Sequence, residues 1–225
     1  MTTRQGKWSN TSSQERLKDK PSPSLTPNTV TLLSLPVALI AALFLSQGRF
    51  FLAAFWLILL GGCDLLDGYL ARTKKLDSPF GAFLDSTIDR LTELLVYFGI
   101  LVLFLRKDPC MAAVTYGVMG GSFVISYARA RAEKFVENAR VGFWERPERM
   151  VLLFLGLLLG RLEASLWILL FGVAQTATHR ILHTYQALQK ISLIPFQKIL
   201  FWDFPRTSWP YRLLAFLVIA FTFLI

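Results

Sequence analysis

Residues 64–89 read DLLDGYLARTKKLDSPFGAFLDSTID. They place four aspartates, Asp64, Asp67, Asp85 and Asp89, in or beside segments apolar enough to cross a membrane. Burying a carboxylate in hydrocarbon costs roughly 2.5 to 3.5 kcal/mol even on a lenient insertion scale, so acids at this depth mark a functional site. Turned as a helix at about 100° per residue, with Asp64 at 0°, Asp67 falls at about 300°, Gly68 at about 40°, Ala71 at about 340° and Arg72 at about 80°. From Gly81 at 0°, Asp85 falls at about 40°, Asp89 at about 80° and Thr92 at about 20°. Each of two helices therefore offers two acids and a glycine to one cavity.

The rest of the chain agrees with a membrane setting. Hydrophobic residues make up 54% of its 225 residues, too apolar for an ordinary soluble domain. Stretches of about 17 to 25 apolar residues, the length that crosses roughly 30 Å of hydrocarbon as a helix, recur along it. Six spans are predicted: Asn28–Ser46, Phe50–Ala71, Phe80–Leu105, Ala112–Tyr127, Arg149–Gly160 and Ala164–Leu182. The expected fold is an all-α integral membrane protein, a six-transmembrane-helix bundle over residues 26–192. A basic N-terminal arm, 1–25, precedes it, and a C-terminal connector with a short apolar helix, 193–225, follows. The arm carries Arg4, Lys7, Arg16, Lys18 and Lys20 and lacks the apolar core of a cleavable signal peptide.

Loop charge predicts orientation. Arg72, Lys74 and Lys75 follow span two, Arg129, Arg131, Lys134, Arg140 and Arg146 follow span four, and Lys190 follows span six, whereas the opposite loops hold only Arg49, Arg106, Lys107 and Arg161. By the positive-inside rule both ends of the bundle, and the acids near them, face the cytoplasm. The net charge of +9 is thus mainly topological, and nucleic acid is not an expected partner, since no separate basic module exists. Cys63 and Cys110 fall toward opposite sides of the membrane and are read as small apolar residues, not a disulfide.

Four converging carboxylates would repel one another unless cations were bound. Hard oxygen ligands favour Mg²⁺ or Mn²⁺ over zinc, and a two-ion centre suits displacement at phosphorus. Gly68, Ala71 and Gly81 would let a diphosphate approach the helix backbones, and Arg72 would pair with its oxygens.

The pattern D-x2-D-G-x2-A-R-x8-G-x3-D-x3-D resembles the signature of the CDP-alcohol phosphotransferases, membrane enzymes of six helices that usually form homodimers. The resemblance implies that Asp64, Asp67 and Asp85 bind one Mg²⁺ and Asp64, Asp85 and Asp89 a second, with Asp89 also the general base. It implies a CDP-donor site at Thr26, Pro27, Asn28, Thr29, Gly68, Ala71, Arg72, Ser78 and Gly81. Read locally, Thr26-Pro27-Asn28 is equally a helix-start signal. The implied reaction is attack by an alcohol on the β-phosphorus of a CDP-diacylglycerol-like lipid, releasing CMP.

The acceptor is read from the second half. Ser126-Tyr127-Ala128-Arg129-Ala130-Arg131-Ala132-Glu133 and Glu145-Arg146-Pro147-Glu148-Arg149 offer guanidinium groups, whose planar fork suits phosphate. These runs are similar to the phosphatidylinositol-phosphate synthases of the family. That similarity implies acceptor-phosphate contacts at Arg129, Arg149 and Arg180 and a phosphorylated polyol, an inositol phosphate, as acceptor. Arg129 stands where that branch often has Lys, and of its glycine-rich stretch only Gly142 remains in 136–143. Phosphatidylglycerophosphate synthesis, with glycerol 3-phosphate as acceptor, or transfer to another alcohol is the alternative within the family. A divalent-cation transporter is the alternative outside it, and an Asp-rich prenyltransferase a remoter one. His179 and His183, spaced i and i+4, lack a third ligand of matching spacing and are read as interfacial helix-end residues.

Overall fold

The computed structural model describes residues 26–74, 78–136, 141–189 and 208–224. The arm 1–25, Lys75, Arg140, Lys190 and most of the 193–210 connector lie outside the described residues. Those described form seven helices: α1 Pro27–Ser46, α2 Phe50–Lys74, α3 Pro79–Lys107, α4 Pro109–Ala132, α5 Arg146–Leu158, α6 Leu162–Gln189 and α7 Trp209–Leu224. No strand occurs among them.

Local chemistry sets the helix starts. Proline stands in the first turn of α1, α3, α4 and α5, where its missing N–H is one the helix could not use. Thr26 caps α1 by accepting from the Thr29 amide, Ser78 caps α3 by accepting from the Gly81 amide, and Asp108 caps α4. Glu145 precedes α5 without a capping bond from its side chain, because its carboxylate is turned toward Arg180 and Arg129.

A helix lies at each of the six predicted positions, but only α1, α2 (over Phe50–Thr73) and α4 are long and apolar enough to cross a membrane by length and composition. The 13 residues of α5 rise about 20 Å, short of the roughly 30 Å hydrocarbon core. Charges at Asp85, Asp89, Arg90 and Glu93 interrupt α3, and polar residues from Gln175 onward dilute α6. That helix also runs seven residues beyond the predicted Leu182, so His179 lies well inside it and is buried, not at an interfacial helix end. Both cysteines are free.

Helix α1 packs on α2 and α3, α4 on α3 and α6, and α5 on α2, α6 and α7. Helices α1 and α3 approach closely enough for backbone to meet backbone. A Cβ on Gly99 would lie 2.5 Å from the Ala42 carbonyl oxygen and 2.7 Å from its Cα. Backbone cannot yield as a side-chain tip can, so Gly99→Val is expected to cost about 3 kcal/mol or more through overpacking. A fall in the thermal unfolding midpoint in detergent would register it, and an unchanged midpoint would deny the contact. The outer faces carry large exposed apolar side chains, among them Phe51, Leu65 and Phe171, each about three-quarters exposed.

The C-terminal helix α7 docks on the start of α5. The Tyr211 hydroxyl donates to Glu148 Oε1 at 2.6 Å, and the Tyr211 and Phe143 rings lie 4.9 Å apart. Tyr211→Phe keeps the ring and removes one hydrogen bond to a charged acceptor, worth about 1.5 to 3 kcal/mol. It is expected to lower the unfolding midpoint by a few degrees, and a midpoint equal to wild type would show the contact to be incidental.

Candidate active site

The four aspartates sit where three cavities meet. A cavity of about 290 Å³ is lined by Pro27, Asn28, Thr31, Asp67, Gly68, Ala71, Arg72, Ser78, Gly81, Ala82 and Asp85. It gathers seven of the nine residues read as donor-binding, together with two of the acids. The remaining two, Thr26 and Thr29, share a hydroxyl–hydroxyl bond of 2.6 Å at the helix start. Thr31, which the sequence reading passed over, fixes Asp67: its hydroxyl donates to Asp67 Oδ2 at 2.9 Å. Its place on the apolar first turns of α1 gave no signal of a polar partner on α2. A Cβ on Gly81 would come within 3.0 Å of Ser78 Oγ and 3.3 Å of Asn28 Oδ1, so a glycine here keeps the cavity wall open.

Asp64 and Asp89 face elsewhere. Asp64 lines an apolar groove of about 410 Å³ between α2 and α5, bounded by Leu57, Gly61, Leu65, Met150 and Phe154. Asp89 opens into a cavity of about 990 Å³. One guanidinium joins the two acids: Arg146 Nη1 donates to Asp64 Oδ2 at 2.6 Å and lies 2.5 Å from Asp89 Oδ1, while Nη2 donates to Thr92 Oγ1 at 3.1 Å. Arg146 stands in the quoted Glu145-Arg146-Pro147-Glu148-Arg149 run, which the sequence offers to an anionic acceptor and counts among the loop charges, but it turns to the acids instead. The signal available was that acids in an apolar segment need a cationic partner.

Among the described residues no three carboxylate, imidazole or thiolate side chains form a ready-made ligand group for an ion. The donor chemistry nevertheless fits a hard divalent cation: four carboxylates, two from each of α2 and α3, without a soft ligand. A positive centre is already shared between oxygens of both helices, since Arg146 supplies it.

The 990 Å³ cavity also holds the three arginines read as acceptor contacts, Arg129, Arg149 and Arg180, beside Asp89, Arg90 and Glu145. They are not equally available. Arg149 is 1% exposed and forms a bidentate pair with Glu93, Nε to Oε1 at 2.7 Å and Nη2 to Oε2 at 2.8 Å, with Nη1 donating to the Trp144 carbonyl at 2.7 Å. Arg180 donates to the Val141 and Ile125 carbonyls and to Glu145, so it ties the segment before α5 to the end of α4. Arg129, with its side chain 30% exposed, pairs with Glu133 at 2.8 Å and lies 3.8 Å from Glu145. Position Gly142 has φ +98°, and a Cβ there would meet Thr176 Cγ2 at 2.5 Å. That turn brings Glu145 and Arg146 to the site and explains the one glycine kept in the segment.

Comparison with known proteins points to one family. The family profile described as CDP-alcohol phosphatidyltransferase matches residues 24–178. An archaetidylinositol phosphate synthase of Pyrococcus horikoshii is 35% identical over 146 residues, 64% of this chain and 75% of its own length. The crystal structure of Mycobacterium tuberculosis phosphatidylinositol phosphate synthase in complex with manganese and citrate aligns with a TM-score of 0.67 at 32% identity, over 71% of this chain and 82% of that one. The same enzyme with CDP-DAG bound aligns with a TM-score of 0.67 at 31% identity, over 72% and 87%. These relatives carry the name of the branch that the Ser126–Glu133 and Glu145–Arg149 runs resemble, and they set aside the transporter and prenyltransferase alternatives. The chain belongs to the CDP-alcohol phosphatidyltransferase family of enzymes.

Proposed function

We propose that this protein transfers a phosphatidyl group from CDP-diacylglycerol, or a CDP-linked ether lipid, to the hydroxyl of an inositol phosphate and releases CMP. The observation that carries the reading is the 990 Å³ cavity in which Asp89 shares walls with Arg129, Arg149 and Arg180. A carboxylate suited to take a hydroxyl proton thus opens onto a cavity whose cationic wall suits a phosphorylated polyol.

The cytidine diphosphate of the donor would lie in the neighbouring cavity of about 290 Å³, its phosphates near Gly68, Arg72 and Gly81. The apolar groove that ends at Asp64 suits one of its hydrocarbon chains. Asp64, Asp67, Asp85 and Asp89 would hold two Mg²⁺ ions, with Mn²⁺ a substitute, and the metal supplies charge neutralisation at the diphosphate. A relative's structure in complex with manganese supports a divalent requirement. Asp89 accepts the proton of the attacking hydroxyl, the acceptor oxygen bonds to the β-phosphorus, and the bond from that phosphorus to the bridging oxygen breaks to free CMP. Arg72 holds the diphosphate. Arg129 meets the acceptor phosphate from the more exposed side, while Arg149 and Arg180 keep the far wall positively charged and rigid.

The protein would sit in the membrane as a six-helix bundle, α1 to α6, with this site facing the cytoplasm, and would pair as a homodimer as the family resemblance implies. Purified protein in detergent, given CDP-diacylglycerol and Mg²⁺, tests the reaction by CMP release. Release that requires inositol 1-phosphate, and not inositol or glycerol 3-phosphate, is the expected result. Release with glycerol 3-phosphate instead would keep the chemistry and overturn the acceptor.

A further inference from the structure

The three arginines around the start of α5 differ in how fully their donors are used. Every guanidinium nitrogen of Arg149 has a partner, as does every one of Arg180. Arg146 is different: its Nη1 is shared between Asp64 and Asp89, its Nη2 rests on Thr92, and its Nε is buried with no hydrogen-bond partner among the described residues. An unmet buried donor costs about 1 to 3 kcal/mol. The position of Arg146 is therefore held by charge, a cation between two acids, more than by a complete set of hydrogen bonds.

The backbone beneath it is anchored independently. Arg180 holds Val141 and Glu145, and Arg149 holds Trp144 and Glu93, so the Arg146 side chain can turn without moving α5. It has space to do so, because Arg146 lines both the apolar groove and the 990 Å³ cavity. The oxygens it engages, Asp64 Oδ2 and Asp89 Oδ1, belong to two of the three aspartates assigned to the second ion, and a divalent ion on those oxygens excludes a guanidinium from the same place.

We propose that Arg146 is an internal counterion of the Asp64–Asp89 pair that competes with the divalent ion, vacating the position for it and turning toward the 990 Å³ cavity. This rests on the metal-dependent reading above. Arg146 keeps the two acids from repelling one another before the ion arrives, and it lowers the ion's affinity by the strength of the contacts it gives up.

Mn²⁺ titration followed by electron paramagnetic resonance on the purified full chain tests this without turnover. Arg146→Gln is expected to bind Mn²⁺ about tenfold tighter or more than wild type, the equivalent of one charge-assisted contact. Arg146→Lys, which keeps the charge, is expected to stay within about threefold of wild type, a rescue that a purely structural role would not give. Equal or weaker Mn²⁺ binding by a folded Arg146→Gln overturns the proposal. Should that variant fail to fold, ¹⁵N-arginine spectra of wild type decide: the Nε signal identified by its loss in Arg146→Lys must shift on saturation with Mg²⁺, and an unmoved signal overturns the proposal. CMP release by wild type judges the transfer reaction separately.

Discussion

Asp89→Asn is expected to lower the rate of CMP release by about 10³-fold, within the 10² to 10⁴ that a general base contributes, with an added loss from one metal ligand. Asparagine preserves the shape of the side chain but cannot accept the acceptor's proton. The neighbourhood makes the assignment specific. Asp89 is the one of the four acids that lines the 990 Å³ cavity with the three arginines, whereas Asp67 and Asp85 line the cavity of about 290 Å³ and Asp64 the apolar groove. The fold should survive, since Arg146 retains Asp64 and Thr92 as partners. Steady-state CMP release under saturating Mg²⁺ checks the prediction; a variant that keeps a tenth or more of wild-type rate would move the base elsewhere.

The second large effect is on stability. Glu93 and Arg149 are 3% and 1% exposed and form a bidentate pair from α3 to α5. Glu93→Ala leaves the buried Arg149 charge uncompensated, which costs about 3 to 5 kcal/mol, so it is expected to lower the unfolding midpoint by on the order of 10 °C, and Arg149→Ala by less, because Glu93 keeps Arg90 Nη1 at 3.2 Å. Replacing both by apolar residues, as in Glu93→Leu with Arg149→Met, should recover much of that loss, because the charge that then loses its partner, Arg90, is part-exposed and not fully buried. Thermal unfolding of the three variants in one detergent distinguishes the cases. If the double variant is as unstable as either single one, the pair's value lies in its geometry and not in charge compensation. The geometry does matter to the site. Glu93 lies one helical turn beyond Asp89 on α3, and Arg149 one turn beyond Arg146 on α5, so the buried pair sets the register that lets Arg146 reach Asp89.

The aspartates could be read from sequence because their spacing repeats the helical period and because carboxylates in apolar segments are costly. The lining of the 290 Å³ cavity was partly legible for the same reason: Gly68, Ala71, Arg72 and Gly81 lie within one turn or one short loop of those acids, while Ser78 entered only through the family resemblance. The cationic side was less so. Arg146 and Arg149 are three residues apart on one helical face, and which of them meets the acids depends on where α5 begins and how Gly142 turns the chain into it. Glu93 lies outside the aspartate spacing, and its partner lies 56 residues away in sequence, a separation that no local period reveals. Helix ends erred for a related reason. Hydropathy fades before helicity does in α4 and α6, so Arg129 and Arg131 belong to the last turn of α4, where positive side chains favour the negative end of the helix dipole. The contact of α7 through Tyr211 had no signature at all, being one hydroxyl placed on Glu148 by tertiary packing.

In the proposed reaction an acceptor oxygen attacks the lipid-bearing phosphorus inside the cavity shared by Asp89 and the arginines. Isotope tracing tests it most directly: inositol 1-phosphate carrying ¹⁸O in its free hydroxyls is incubated with CDP-diacylglycerol, Mg²⁺ and the purified protein, and both products are weighed by mass spectrometry. The account predicts a new phospholipid that retains the full label and CMP that carries none. Phosphatidic acid in place of that lipid, a lipid that has lost the label, or CMP that has gained it would contradict the account.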